Sequence, residues 1–281
     1  MESDKTVNYI KIARQIEKHL GCKIYIVGGY VRDKILKFKS VDLDFVVDGD
    51  GLEVAEELQK KLGGKLTIYK KFLTASLKLK NNFVIDIATA RTEKYSSTAA
   101  MPVVKPAKLK KDLLRRDFTI NALALPLITR YSLLANIIDV SGGLDDLKNK
   151  LIRVLHKKSF TDDPTRILRA IRYSNRFNFK IEKNTEKWMK QAIKKNLLAL
   201  VSPPRIRDEF IKTLEEKNAK KILTEFKKRK ILKYIDTKLD ISAISPNNEP
   251  LKTRLKKLIG NFTNEQKKSF LQKLCLPAKI S

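Results

Sequence analysis

The chain has two cysteines, two histidines and one tryptophan in 281 residues, and each scarcity closes a route. Cys22 and Cys275 lie far apart and match neither a disulfide framework nor thiolate metal spacing, so a reducing, cytoplasmic setting is expected. His19 and His156 have no ligand-spaced partners, which points to structural or surface roles. No apolar run approaches the roughly 20 residues of a membrane-spanning helix. The opening MESDKTVNY lacks the basic-then-apolar order of a secretory signal and the Arg-rich, acid-poor character of a transit peptide. The expectation is a soluble, unexported protein without a membrane partner. Trp188 falls in an amphipathic helical pattern and reads as core.

Acidic residues are scarce as well. Sixty Lys and Arg face 31 Asp and Glu, a net charge of +29 with a pI near 10.0. Such an excess on a globular chain points to a polyanion, either nucleic acid or an anionic membrane surface. It continues past residue 181, so it is not confined to the front of the chain. Charge by itself names no chemistry.

The length suits roughly two domains. In the first part, short β-rich runs alternate with helical ones. KIYIVGG reads as a strand ending in Gly28 and Gly29, YVRDKIL as a helix, and VDLDFVV as a strand. GLEVAEELQKKLGG has helical apolar spacing closed by Gly63 and Gly64, while TASLKLK and NFVIDIATAR read as strands, the second carrying Asp86. After about residue 145 the strand signals stop. TDDPTRILRAIRYSNRF, NTEKWMKQAIKKN, PRIRDEFIKTLEEKNAKKILTEF and EPLKTRLKKLIGNF all read as helices, with Asp162 as N-cap and Pro164 in the first turn of the first of them. DISAISPNNEP, 240–250, is the best loop or linker candidate.

One stretch concentrates the chemistry. Asp42 and Asp44 in VDLDFVVD are two apart, which on a strand puts both carboxylates on one face at short separation. Two like charges there need a cation. Just upstream, Gly28 and Gly29 would let the backbone approach a ligand, and the N–H groups of the following helix would face phosphate, with Arg32 on its first turn. Magnesium is held by one or two carboxylates plus substrate phosphates, so a carboxylate pair beside a phosphate cradle is what two-metal phosphoryl transfer requires. Asp86 is a candidate third carboxylate, with an exposed place on a half-buried strand as the alternative.

IVGGYVRD, DLD, IATARTEKY, LLRRDFTINALAL, IIDVSGGLDDL, LIRVLHKKSFTDDPTRILRAIRY and SPPRIRDEF follow one another in an order that resembles the class II tRNA nucleotidyltransferases. These are the CCA-adding enzymes and poly(A) polymerases of the polymerase-β-like superfamily, and the resemblance spans about residues 24–210. It implies an α+β protein: a nucleotidyltransferase α/β head over 1–145, an all-α neck over 146–200 for nucleotide recognition, and a helical body and tail over 201–281 for tRNA. It implies that Gly28, Gly29 and Arg32 contact the nucleoside triphosphate and that Asp42 and Asp44 bind Mg²⁺, with Asp86 as a further candidate. Arg116 would reach the phosphates, and Asp117 and Asn121, neighbours four apart on a helix, would help read the ribose. The implied partners are tRNA, CTP and ATP, and the implied assembly a monomer or weak dimer.

DDPTR is similar to the family's nucleotide-recognition motif, with Asp162 where relatives carry Glu. Asp163 and Arg166 are three apart and can present acceptor and donors to a base edge; Arg169 and Arg172 continue the row as implied nucleotide contacts. The Lys runs KKRK (227–230) and RLKK (254–257) read as RNA-backbone contacts rather than solvated faces. The expected function is template-independent addition of C and/or A to tRNA 3′ ends. CC-only and A-only enzymes share the motifs, and TEKYSSTAAMPVV, after Arg91, stands where many full CCA-adding relatives have a more charged flexible loop. Poly(A) synthesis is disfavoured because LTIYKKFLTASLKL lacks a GRRFRLAHV-like basic block. A catalytically idle RNA-binding protein is disfavoured by retention of both Asp42 and Asp44.

Overall fold

The computed structural model describes residues 4–38, 42–127, 136–245 and 249–276. They form two compact units, Met1–Ser96 with Pro102–Asn149, and Ser97–Met101 with Lys150–Ser281.

The first unit opens with helix α1 (Asp4–Leu20), whose buried Tyr9, Ala13 and Ile16 recur at helical spacing. Then follow β1 (Lys23–Val27), α2 (Gly29–Ile35), β2 (Leu43–Asp48), α3 (Gly51–Leu62), β3 (Lys65–Tyr69), β4 (Thr74–Lys78), β5 (Val84–Thr89), β6 (Arg91–Lys94), β7 (Val103–Pro106), α4 (Leu109–Leu114), β8 (Leu123–Pro126), β9 (Ile138–Asp139) and α5 (Gly143–Lys148). Asp50 starts α3 by accepting from the N–H groups of Leu52 and Glu53, and α3 packs against α1, β4 and β5.

Among the described residues seven strands make one mixed sheet in the order β3-β4-β5-β2-β1-β8-β9. β2 and β5 run parallel, with Leu43 opposite Ile85, Asp44 opposite Asp86 and Phe45 opposite Ile87. Leu43, Phe45, Val47, Ile85 and Ile87 are buried. Since side chains alternate across a strand, burying that set turns Asp44 and Asp86 together to the opposite face.

In the second unit β10 (Leu151–Ile152) and β11 (Lys180–Ile181) form a two-residue parallel ladder. The expectation that strands end near residue 145 is therefore corrected; a ladder this short leaves no alternating pattern to read. The rest is helical: α6 (Ser159–Asp162), α7 (Thr165–Phe177), α8 (Lys183–Lys194), α9 (Pro203–Glu215), α10 (Ala219–Lys228), α11 (Leu251–Leu258) and α12 (Asn264–Lys273). α7 packs on α9 and α10, and Phe210 of α9 meets Phe270 of α12 edge-on. The stretch read as one helix over 204–226 is two, α9 and α10, since Glu216 is extended. Trp188 is only half-buried, and Met189 beside it fills the core. Within 240–250, Ile241–Ala243 is a short 3₁₀ turn capped by Asp240, and 246–248 lie outside the described residues. β6 and β7 form a hairpin with Arg91 opposite Pro106, so the segment after Arg91 begins as a strand.

Candidate active site

β1 ends in a turn that only glycine accommodates easily, Gly28 at φ 68 and ψ −130. A β-carbon on Gly28 would lie 3.4 Å from both Arg116 Nη1 and Asp44 Oδ2. The turn backbone, a guanidinium nitrogen and a carboxylate oxygen therefore meet at one point. Asp42 precedes β2 and is exposed, whereas Asp44 lies within the strand and is half-buried. Asp42, two residues before Asp44, stays near enough for its charge to act on that carboxyl, and β5 adds Asp86 side by side with Asp44.

Asp44 shows what that pairing costs. Its carboxyl is pushed up to about 6, first by desolvation, then by the charge of Asp86 and of Asp42, against the opposing pull of Arg116 and Arg32. Crowded carboxylates with all-oxygen donors suit a hard divalent cation. Among the described residues no three His, Cys, Asp or Glu side chains gather as a metal group. Magnesium does not need one, since it keeps waters and takes substrate oxygens.

Arg32 is buried (3% exposed). Its Nε and Nη2 meet Asp33 Oδ1 at 2.8 and 2.7 Å, and its Nη1 donates to Asn121 Oδ1. Asn121 Nδ2 in turn donates to Asp117 Oδ1 at 3.0 Å. Asp117 and Asn121 thus meet as expected of residues four apart, but not on an α-helix. The local element is a 3₁₀ turn, Thr119–Asn121, and Asp117 precedes it, receiving Phe118 N–H.

Arg116 is held by Asp112, a residue the sequence reading passed over. Asp112 Oδ2 accepts from Arg116 Nε at 3.2 Å and Nη2 at 3.0 Å, while its Oδ1 accepts from Arg115 Nε and Nη2 at 2.9 and 2.6 Å. Burial alone would raise the Asp112 carboxyl, but Arg116 and Arg115 hold it below its ordinary value. The signal was present in LKKDLLRRD, where acid and bases stand three and four apart.

The second unit places the other expected residues. Asp163 is extended and outside α7. Its Oδ1 accepts from Thr165 N at 3.0 Å, Thr165 Oγ1 at 2.6 Å and Arg205 Nη2 at 2.7 Å. Asp163, rather than Asp162, therefore serves the start of α7; Asp162 closes α6. Oδ2 takes part in none of these three bonds. Arg166, on the first turn of α7, is buried and donates to Ser159 Oγ at 2.7 Å.

Further along α7, Arg169 donates to Glu209 Oε1 at 3.1 Å and to Tyr173 OH at 3.1 Å. Arg172 is buried, donating to Glu209 Oε2 at 2.6 Å with Glu216 3.7 Å away. Glu209, raised by burial, is held below its ordinary value by Arg169 and Arg172. Arg172 is thus committed to carboxylates of its own unit. Three side chains of the basic runs are engaged within their own unit, while Lys227, Lys228, Lys230 and Lys256 are exposed. Arg254 is 1% exposed and donates to the carbonyls of Leu214 and Glu216; Arg229 pairs with Glu186 and Glu225, and Lys257 with Glu249. Arg229 thus links the end of α10 to α8 and Arg254 links α11 to the end of α9, while Lys257 ties α11 to the segment before it.

A mixed sheet that presents paired carboxylates beside a glycine turn and a guanidinium is a polymerase-type nucleotidyltransferase head. Residues 24–153 match the Poly A polymerase head domain, and residues 178–238 match the probable RNA and SrmB-binding site of polymerase A. The chain belongs to the tRNA nucleotidyltransferase and poly(A) polymerase family. It is 45% identical over 214 residues to the A-adding tRNA nucleotidyltransferase of Aquifex aeolicus, covering 76% of this chain and 26% of that protein. It is 35% identical over 257 residues to the A-adding tRNA nucleotidyltransferase of Geobacter sulfurreducens, covering 92% of this chain and 29% of that one. The chain thus spans under a third of the length of these two relatives. Among solved structures, a CCA-adding enzyme in an apo form superposes with a TM-score of 0.78 at 36% identity, covering 99% of this chain and 70% of that one. No helix among the described residues is long and apolar enough to cross a membrane.

Proposed function

We propose that the chain transfers a nucleotide from a nucleoside triphosphate to the 3′ end of tRNA, and that its preferred reaction is addition of A. The observation that carries the transfer is the meeting of Asp44, Gly28 and Arg116 Nη1 at one point, with Asp86 in register beside Asp44. The finer choice of A rests on the names of the two curated relatives above.

In this reading the triphosphate lies along the Gly28–Gly29 turn with Arg116 at its phosphates. Arg32 is the buried post against which Asn121 and Asp117 are set to read the ribose. Asp42 and Asp44, with Asp86 adjacent, would hold Mg²⁺. When bound, the metal favours ionisation of the attacking hydroxyl and neutralises charge on the departing pyrophosphate. The RNA 3′ hydroxyl gives its proton to solvent, its oxygen bonds to the α-phosphorus, and the bond from that phosphorus to the bridging oxygen breaks as pyrophosphate leaves. Asp163 Oδ2 and Arg166 read the base edge, with Arg169 beyond them.

Residues 1–145 act as catalytic head, 146–200 as the recognition neck and 201–281 as the tRNA-holding body. In that last stretch the exposed Lys220, Lys221, Lys227, Lys228, Lys252 and Lys256 take the backbone-binding role that Arg229 and Arg254 cannot.

The test uses tRNAs ending before C74, after C75 and after A76, each with CTP or ATP alone and magnesium. AMP incorporation on the C75-ended tRNA, with none on the complete end, is expected. CMP incorporation on the shortest tRNA would replace the A-only reading with CC or CCA addition. Absence of incorporation on every substrate would overturn nucleotidyl transfer itself.

A further inference from the structure

We infer that Asp112 is the positioning residue that aims Arg116 at the phosphates, an inference that rests on the nucleotidyl-transfer reading above. Arg116 stands between two demands. Asp112 Oδ2 grips it side-on through Nε and Nη2, and Nη1, the nitrogen this grip leaves over, lies beside Gly28 and Asp44. A guanidinium is a rigid plane, so gripping two nitrogens fixes where the third points. Without Asp112 the long side chain would sample several rotamers, and the charge facing the turn would no longer be set in place before substrate arrives.

The carboxylate is itself fixed. Asp112 is fully buried, and its other oxygen accepts from Arg115 and from the backbone N–H of Arg91 at 3.3 Å. Arg115 goes on to Glu93 at 2.6 Å and to the carbonyl of Arg91 at 3.1 Å. One oxygen anchors Asp112 to β6 and the other orients Arg116. Asparagine cannot replace it, since its amide offers one acceptor oxygen to two guanidiniums and turns an N–H₂ towards the second.

A purely structural Asp112 would weaken binding through general damage, whatever stands at position 116. A positioning Asp112 would act only through Arg116. The two are separated by a double-mutant cycle on binding of α,β-methylene ATP in the presence of magnesium. Asp112→Asn should weaken binding on the order of tenfold with Arg116 present and less than about twofold with Arg116→Ala, because one charge-assisted contact accounts for the loss. Arg115→Gln, which disturbs the other oxygen, should lower the melting temperature while leaving affinity within about twofold. Equal losses from Asp112→Asn in both backgrounds, or no loss in either, would overturn the positioning role and leave the transfer reading standing. A wild-type protein that does not bind the analogue would overturn both. If Asp112→Asn does not fold by circular dichroism, Asp112→Glu carries the same cycle, since its extra methylene keeps the charge but displaces the guanidinium.

Discussion

Asp112 in the first unit and Glu209 in the second each hold two guanidiniums, but over different reaches. Asp112 takes Arg115 and Arg116, three and four residues on. Glu209 takes Arg169 and Arg172, 40 and 37 residues back. The local device leaves a nitrogen of Arg116 facing the glycine turn, whereas the long-range one closes around Arg172 and ties α7 to α9. An arginine in a motif is thus available to a ligand only if the carboxylate beside it leaves a nitrogen over. In the first unit that arrangement favours chemistry, and in the second it favours architecture.

The largest effect that would sharpen this contrast belongs to the first unit. Asp44→Ala should abolish turnover, at least the ~10²–10³-fold that loss of one preorganised charge-stabilising group costs elsewhere. The fold should persist, because Asp44 is half-buried and lies on the face opposite the buried Leu43, Phe45 and Val47. Asp42→Ala should follow it. Steady-state incorporation together with circular dichroism checks both, and normal turnover in either variant would remove the metal assignment.

Next comes the second unit, where the expected damage is to stability. Glu209→Ala removes the 2.6 Å partner of the buried Arg172, leaving it Glu216 at 3.7 Å, and should cost up to about 3–5 kcal/mol, the range for breaking a buried ion pair from one side. The carboxyl also sets a pH dependence. Its folded pKa is depressed, so its contribution is fully present above the unfolded value and is lost as pH falls through the folded one. Urea melts from neutral pH downwards should therefore show wild type losing stability on acidification, with Glu209→Gln less stable at neutral pH and flatter below it. Parallel curves for the two proteins would mean that the pair contributes nothing specific.

How much of this was legible follows from the same difference in reach. In the first unit β1, α2, β2, α3, β4 and β5 follow from apolar patterning and from Gly63 and Gly64, whereas α1, β3 and the elements from β6 to α5 do not, and Asp86 lies on the strand expected to carry it. Its register opposite Asp44 could not be read, because pairing of β2 with β5 joins segments some forty residues apart. The Asp112 pairing is legible in the three- and four-residue spacing of LKKDLLRRD, where RRD is the more conspicuous feature. Arg254 is the opposite case. In RLKK it looks like surface charge, and only folding shows α11 turning that one side chain towards the carbonyls of Leu214 and Glu216. Spacing within a helix carries local pairs; it does not say which face a neighbouring helix will cover.

The smallest expected effect concerns Asp163, where capping and the proposed base reading would fall to separate oxygens. Oδ1 accepts from Thr165 and Arg205, and Oδ2 joins none of those bonds. Alanine here would confound the two, since losing a cap alone costs about 0.5–2 kcal/mol. Asparagine separates them. Its carbonyl can stay on Thr165 and Arg205, which are donors, while the other atom changes from an acceptor to an N–H₂ donor. Adenine and cytosine offer an exocyclic amine to that atom, and uracil and guanine offer a carbonyl. Asp163→Asn should therefore lose about 1.5–3 kcal/mol of discrimination, roughly one to two decades, and move towards UTP and GTP. Melting temperature should change little and the metal site should still work. Incorporation of all four nucleoside triphosphates on one tRNA lacking its 3′ end measures this directly. A variant that slows every nucleotide equally and keeps the wild-type preference would leave Asp163 as the cap of α7 and partner of Arg205, with base choice made elsewhere.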